Sequence, residues 1–98
     1  MAGTYFVVTR ERGPAWDAVR AMREQDGWED HAAFMDALAE DGFVVLGGPL
    51  GDGDRRFMHV VEAPSAEAVA ERLAADPWEA AQLATVAIEP WQILLRSP

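Results

Sequence analysis

One of the two histidines in this chain occupies a position where an imidazole can act as an acid or a base. His31 recurs at helical spacing with apolar residues such as Trp28 and Leu38, so we expect it to face inward near the beginning of a helix. The helix dipole disfavours imidazolium there, and a neutral imidazole at an apolar wall can accept or donate a proton. A packed histidine bonded to a backbone carbonyl explains the same pattern, and spacing alone favours that interpretation.

Asp76 is a second residue that could take part in chemistry. It precedes Pro77 and Trp78, an order that is typical of a cap on a short helical turn, and this structural role explains the residue fully. A capping carboxylate keeps a second oxygen, which could orient a histidine ring. The residues alone leave both roles open and favour the cap.

Further residues could line a pocket around this pair. His59 lies mid-strand and shares a face with Phe57 and Val61, so it is expected to be buried, as a core histidine or as a second pocket group. Gly48 and Pro49 follow a strand, where a hairpin-type turn is favoured over a wall that lets a ligand approach the backbone.

Two tryptophans flank the candidate pair. Trp28 lies one helical turn before His31, and Trp78 comes two residues after Asp76. Aromatic side chains at these places suit the apolar walls of a pocket. They would equally supply bulk to a small core, which is the slightly favoured interpretation.

Composition excludes several kinds of chemistry. The chain has no cysteine, no His/Asp/Glu cluster with metal-ligand spacing, no serine in a nucleophile motif and no phosphate-binding loop, so we expect neither a metal nor an organic cofactor. The net charge of −9, with arginine and no lysine, argues against nucleic acid as a partner, because an acidic domain repels phosphate backbones. No apolar run approaches the ~20 residues of a membrane span and no signal peptide is visible. We therefore expect a cytoplasmic protein.

The elements that must position these residues follow the order β-α-β-β-α-β in a single domain, residues 1–98. Strands are predicted over residues 5–9, 43–46, 56–62, 85–88 and, beyond an interruption at Pro90, 91–95. A first helix begins at Asp26 with a capping box to Glu29 and ends at Gly42, and a second begins at Ser65. The charged residues 10–12 end the first strand, and residues 15–25 form a short helix or an ordered loop. Two crossover helices predict an antiparallel sheet with both helices on one face, which is an α+β, ferredoxin-like arrangement.

Several predicted strands are apolar on both faces, whereas two helices can cover only one face of the sheet. Residues 5–8, 43–46 and 93–95 show this pattern. A second copy of the same sheet is the simplest cover, so we expect a homodimer that pairs through the sheet face.

Four motifs together resemble the YCII-related family of the dimeric α+β barrel superfamily. They are His31-Ala32-Ala33-Phe34-Met35, Gly47-Gly48-Pro49-Leu50, Asp76-Pro77-Trp78 and Pro90-Trp91. The resemblance implies a ferredoxin-like fold that dimerises through the sheet and a site that pairs His31 with Asp76. The chain departs from the family's compact members by a longer stretch over residues 13–27. This stretch could cover the pocket or bind an anionic substrate through Arg23, although a solvated arginine is favoured.

The preferred hypothesis is a small-molecule enzyme without a metal or organic cofactor. His31 would be the general acid/base, Asp76 would fix its tautomer, and the reaction would be elimination or isomerisation by proton transfer. The substrate-binding residues would be Trp28, Gly48, Pro49, His59 and Trp78, with an organic acid as one candidate ligand. The alternatives are a non-catalytic ligand-binding or accessory dimer and a cofactor-free monooxygenase.

Overall fold

The computed structural model describes residues 3–98 of the chain, and a four-stranded antiparallel sheet is its central feature. The elements are β1 (Thr4–Arg12), α1 (Trp28–Glu40), β2 (Val44–Leu50), β3 (Arg56–Ala63), α2 (Ala66–Ala74) and β4 (Leu83–Pro90). The strands are arranged in the order β2-β3-β1-β4, and each neighbouring pair is antiparallel. This confirms the predicted α+β, ferredoxin-like βαββαβ fold.

Strand alternation builds the core on one face of the sheet. Phe6 and Val8 of β1 are buried together with Val61 of β3, whereas the residues between them on β1 are only partly covered. Leu38 of α1 and Leu73 of α2 belong to the same buried cluster. Both helices therefore cover one face of the sheet, as predicted.

The two helices begin in different ways. Ser65 caps α2 as predicted, because its hydroxyl oxygen accepts a hydrogen bond from the amide of Ala68 at 3.1 Å. The predicted Asp26 cap of α1 is wrong: the N-cap is Gly27, whose φ is +77°, and no side chain caps this helix. The carbonyl of Asp26 instead accepts a hydrogen bond from the Trp78 indole at 2.8 Å, which fixes the backbone before the helix.

The first strand is longer than predicted and includes all three of the charged residues that were expected to end it. Arg10 pairs with Phe57 of β3 and Glu11 with Arg56, so the ladder continues past Thr9. The side chain of Arg10 is fully buried. A charge can lie inside a sheet in this way when carboxylates pair with it, and two of them do so here.

The glycines of the second strand do not form the predicted turn. Gly47, Gly48 and Pro49 lie inside β2, where they pair with His59, Met58 and Phe57 of β3. β2 is an edge strand of the sheet, and an edge strand tolerates proline because one side of its backbone has no ladder to complete. The turn follows instead at residues 51–55.

The predicted strand over residues 91–95 is also wrong. β4 ends at Pro90, which pairs with Phe6 of β1, and little of β1 remains beyond that pair to continue a ladder. A single backbone hydrogen bond follows, from the amide of Trp91 to the carbonyl of Tyr5 at 2.8 Å.

Several large apolar side chains of β2, β4 and the final residues remain exposed. They are Val45, Leu46, Leu50, Val86, Trp91, Leu94 and Leu95. A homodimer through the sheet face stays a prediction. Within residues 3–98, neither helix has the length and apolar character that crossing a membrane requires.

Candidate active site

The fold brings His31 and Asp76 into direct contact, although they are 45 positions apart along the chain. His31 lies in the first turns of α1, and Asp76 lies just beyond α2. The Nδ1 atom of His31 is 2.9 Å from one carboxylate oxygen of Asp76 and 3.0 Å from the other. Both residues are buried, with exposed fractions of 8% and 4%.

The short turn that was predicted after Asp76 holds the Asp76 carboxylate in place. The backbone amide of Trp78 donates to Asp76 Oδ1 at 2.9 Å, and the amide of Glu79 donates to the Asp76 carbonyl at 3.0 Å. The aspartate therefore caps a turn and contacts the histidine at the same time. The two roles that the sequence left open are both present in the geometry.

Arg10 is the site residue that the sequence analysis missed. One guanidinium nitrogen lies 2.9 Å from Asp76 Oδ2, and the other lies 3.0 Å from Glu79 Oε1. Glu79 in turn accepts hydrogen bonds from the backbone and the hydroxyl of Thr85. Strand alternation contained the signal, since Arg10 is in phase with Phe6 and Val8, and a buried arginine requires a carboxylate partner.

The contacts of Asp76 determine its protonation state. Burial alone would raise the pKa of this carboxyl, but the hydrogen bonds from His31 and from the Trp78 amide, together with the charge of Arg10, hold its pKa below the usual value. The carboxylate is therefore ionised near neutral pH and can only accept hydrogen bonds. It follows that His31 donates through Nδ1–H, so that in the neutral ring Nε2 is the acceptor.

Aromatic side chains fix the plane of the His31 ring. The Trp78 indole stacks on the imidazole with 4.1 Å between ring centroids and only 10° between planes, and Trp78 itself is almost fully buried. Trp28 approaches from one turn earlier in α1, with its ring centroid 5.8 Å from that of His31. The imidazole is thus restrained both by its hydrogen bond and by its neighbours.

A cavity of about 290 Å³ adjoins this cluster. His31 lines it from the helix side and His59 from the sheet side. Apolar groups and glycines complete most of the lining, namely Met22, Trp28, Met35, Ala39, Val44, Val45, Leu46, Gly47, Gly48, Pro49, Phe57, Trp78 and Leu83. The structure therefore brings all seven residues of the predicted site to one place, six of them on the cavity lining and Asp76 behind His31.

His59 is buried in this lining without a protein partner. Its exposed fraction is 8%, and neither ring nitrogen has a hydrogen bond within residues 3–98. Burial lowers the pKa of His59 to about 4, and the positive charges of Arg10 and His31 act in the same direction. The ring is consequently neutral at physiological pH.

Gly47 makes room for the His59 ring. A Cβ atom on Gly47 would lie 2.3 Å from His59 Nδ1, which is closer than any normal contact. Gly48, the next residue, has nothing within 4 Å of the corresponding position. Packing in the structure therefore requires a glycine at position 47 but not at position 48.

Residues 13–27 form an ordered loop beside the cavity, with one short 3-10 turn at Met22–Glu24. The buried Gln25 side chain organises the loop by donating to the carbonyls of Asp17 and Arg20 at 2.7 and 2.9 Å. Met22 lines the cavity, whereas Arg23 is exposed and lies 5.7 Å from the Trp28 ring. The segment thus supplies an apolar side of the pocket.

Among residues 3–98, no group of three or more His, Asp and Glu side chains could hold a metal ion. The arrangement instead consists of a histidine, the carboxylate that orients it, and the buried arginine that neutralises the carboxylate. Such an arrangement can accept and return a proton at His31 Nε2.

Fold and site together define a ferredoxin-like α+β domain with a buried histidine–aspartate pair at an apolar cavity. The model of the YCII-related domain family matches residues 4–92, so the chain belongs to this family. No curated protein and no solved structure matches the chain.

Proposed function

We propose that this protein is an enzyme that moves a proton on a small molecule, with His31 as the general acid/base. The observation that carries the proposal is the hydrogen bond between His31 Nδ1 and the buried, ionised Asp76 beside an apolar cavity. Arg10 supports the aspartate from the other side. A general base needs this combination of a fixed tautomer, a free ring nitrogen and a place for the substrate.

The reaction class follows from what the site contains. His31 Nε2 removes a proton from a carbon next to an unsaturated group, and the electron pair of the C–H bond passes into that group. The imidazolium that results is stabilised by Asp76 at 2.9 Å. Return of the proton to another carbon gives isomerisation. In an elimination, the C–H electron pair forms the new double bond, the leaving group departs with the electron pair of its own bond to carbon, and His31 releases the proton to the leaving group or to water.

A proton-exchange assay tests this proposal without knowledge of the natural substrate. The protein is incubated in D₂O with a panel of small unsaturated ketones, amides and acids, and the loss of C–H signals is followed by proton NMR. We expect exchange of at least one compound, and we expect His31→Gln to slow it by about 10²–10⁴-fold, the usual contribution of a general base.

Arg23→Gln is the matched control, because Arg23 is exposed and lies outside the cavity lining. It should exchange at the wild-type rate. Exchange that survives His31→Gln, or a panel on which the wild-type protein does nothing, contradicts the proposal and favours a non-catalytic ligand-binding role.

A further inference from the structure

We infer that Glu79 is a positioning residue of the proposed proton transfer. It shares the positive charge of Arg10 with Asp76, so that Asp76 keeps a negative charge with which to stabilise protonated His31. This inference rests on the proposed function, because it assigns Glu79 a part in the same reaction. Glu79 lies outside the cavity lining and acts through Arg10.

The ion pair between Arg10 and Asp76 weakens the support that the aspartate gives to His31. When His31 takes a proton, its ring gains a positive charge, which the negative charge of the neighbouring carboxylate stabilises. The guanidinium lies 2.9 Å from Asp76 Oδ2, as close as the imidazole lies to Oδ1. If Arg10 paired with Asp76 alone, the two charges would cancel, and protonated His31 would meet no net negative charge.

Glu79 changes this balance because it brings a second carboxylate to the same guanidinium. The other terminal nitrogen of Arg10 lies 3.0 Å from Glu79 Oε1. The Glu79 carboxylate also accepts hydrogen bonds from the hydroxyl of Thr85 at 2.8 Å and from the amide of Thr85 at 3.1 Å. All of these partners are donors, so Glu79 is present as the anion.

The charges of this buried cluster favour protonation of His31. Arg10 contributes one positive charge and the two carboxylates one negative charge each, so the cluster has a net negative charge until His31 is protonated. Among the other charged or titratable groups nearby, His59 is neutral because burial lowers its pKa to about 4, and solvent screens the exposed Asp36 and Arg23. Proton transfer to His31 therefore removes a net charge from a buried place instead of creating one.

An irregularity of the sheet holds the Glu79 side chain beside Arg10. The register between β1 and β4 shifts after Thr9, so that Arg10 pairs with Thr85, whose amide and hydroxyl both bind Glu79. Such irregularities are frequent next to active sites, where they direct a side chain. The amide of Glu79 also donates to the carbonyl of Asp76 at 3.0 Å, so one turn presents both carboxylates to the guanidinium.

An NMR titration of His31 tests the inference without a substrate. The ring signals are followed against pH in the wild-type protein and in Glu79→Gln. We expect the midpoint of the titration to fall by about one pH unit in the variant, because a charge that stabilises protonated His31 has gone. In the proton-exchange assay, Glu79→Gln should lower the maximal rate by about three- to tenfold, since a weaker base removes a proton more slowly.

Two further variants of Glu79 separate its charge from its packing. Glu79→Asp keeps the charge but is shorter by one methylene group, so it should lose stability and still titrate near the wild-type midpoint. Glu79→Ala removes the charge without adding an amide, and water can enter because the Glu79 side chain is 22% exposed. It should lower the midpoint as Glu79→Gln does, and it replaces that variant if Glu79→Gln does not fold.

Asp41→Asn is the matched control for the change in net charge. Asp41 also pairs with an arginine, Arg72, but both side chains are exposed. Because water and salt screen this pair, the His31 midpoint should stay at the wild-type value.

The inference is overturned if removal of the Glu79 charge leaves the His31 midpoint unchanged. It is also overturned if Glu79→Asp or Asp41→Asn lowers the midpoint as much as Glu79→Gln does, because packing or overall charge would then be responsible. Its failure is distinguishable from failure of the proposed function. An unchanged midpoint with exchange intact refutes the role of Glu79 alone, whereas absence of all exchange by the wild-type protein refutes the acid/base role and with it the part assigned to Glu79.

Discussion

The cavity has two walls, each with one histidine, and the two histidines are equally buried but differently supported. On the helix wall, formed by α1, His31 is held by the ionised Asp76 and stacked against Trp78. On the sheet wall, formed by β2 and β3, His59 has no partner within the described chain and sits over a glycine. The exposed fraction of both residues is 8%. Equal burial therefore does not give the two histidines the same chemical environment. The polar groups next to each ring make the difference.

Arg10 connects the two walls. It shares one face of the sheet with His59, since Arg10 pairs with Phe57 and Val8 pairs with His59 in the same ladder. Its positive charge contributes to lowering the pKa of Asp76 and also the pKa of His59. Burial is the main cause of the low pKa of His59 and hydrogen bonds are the main cause of the low pKa of Asp76, and the charge of Arg10 adds to both effects.

Loss of the Arg10 side chain should have the largest effect on folding stability. Arg10→Met leaves Asp76 and Glu79 without their cation, and breaking a buried ion pair in this way costs about 3–5 kcal/mol. Urea denaturation measures the loss. The pKa of His59, followed by NMR, should rise at the same time because a charge that lowers it has gone.

Arg20→Met is the matched control for this substitution. Arg20 pairs with Asp26 at the surface, where an ion pair contributes less than about 1 kcal/mol. An equal decrease in the free energy of unfolding in Arg10→Met and Arg20→Met would contradict the role described for Arg10 between the two walls.

The second largest effect should be seen in the pH dependence of folding stability, where His59 on the sheet wall and Asp76 on the helix wall act in different pH ranges. His59 has a pKa of about 4 in the folded protein against 6.5 normally, so the unfolded chain binds the extra proton between these values. Folding stability therefore falls as the pH drops from 6.5 to about 4, by on the order of 3 kcal/mol. His59→Phe should flatten this window in urea titrations.

Asp76 affects folding stability in a lower pH range than His59 does. Its pKa in the folded protein lies below the usual 3.8, so it stabilises the protein above that pH and loses this contribution as the pH falls through the folded-state value. His59→Phe should leave the lower window unchanged. A wild-type profile that is flat between pH 6.5 and 4 would contradict the environment described for the sheet wall.

Alanine substitutions at Gly47 and Gly48 should have the smallest effects on folding stability, and the two neighbouring positions should differ clearly. Gly47→Ala places a methyl group 2.3 Å from His59 Nδ1, and overpacking of this kind costs about 1–3 kcal/mol. Gly48→Ala meets nothing within 4 Å and should change stability by less than about 0.5 kcal/mol. Urea denaturation gives both values, and the His59 ring resonances should move only in Gly47→Ala. The reverse order would show that the ring does not occupy the described position.

The fold could be predicted from the sequence because its main signals are local. Strand alternation, the Ser65 cap and the glycine after α1 each act within a few residues of their position. The pairing of His31 with Asp76 came instead from the family resemblance, because no local pattern joins residues that are 45 positions apart.

Three of the errors have the opposite origin, because distant contacts override local preference at Arg10, Gly47 and Asp26. Arg10 was expected to end a strand as part of a charged triplet, and carboxylates from the far end of the chain keep it inside. Gly47 was expected in a turn, and the ring of His59 explains why a glycine lies in the strand. Asp26 was expected to cap α1, and the indole of Trp78 holds its carbonyl instead.

The strand order β2-β3-β1-β4 has a consequence for how the protein is made. β1 is synthesised first, yet both of its neighbours in the sheet, β3 and β4, are synthesised late. Arg10 therefore leaves the ribosome long before its partners Asp76 and Glu79 exist, and His31 also precedes its carboxylate. Such long-range pairing is slow to form and comes together only when the late segments arrive. A nascent chain that does not yet include Asp76 therefore carries His31 and Arg10 without the hydrogen bond and the ion pair that hold them in the folded protein.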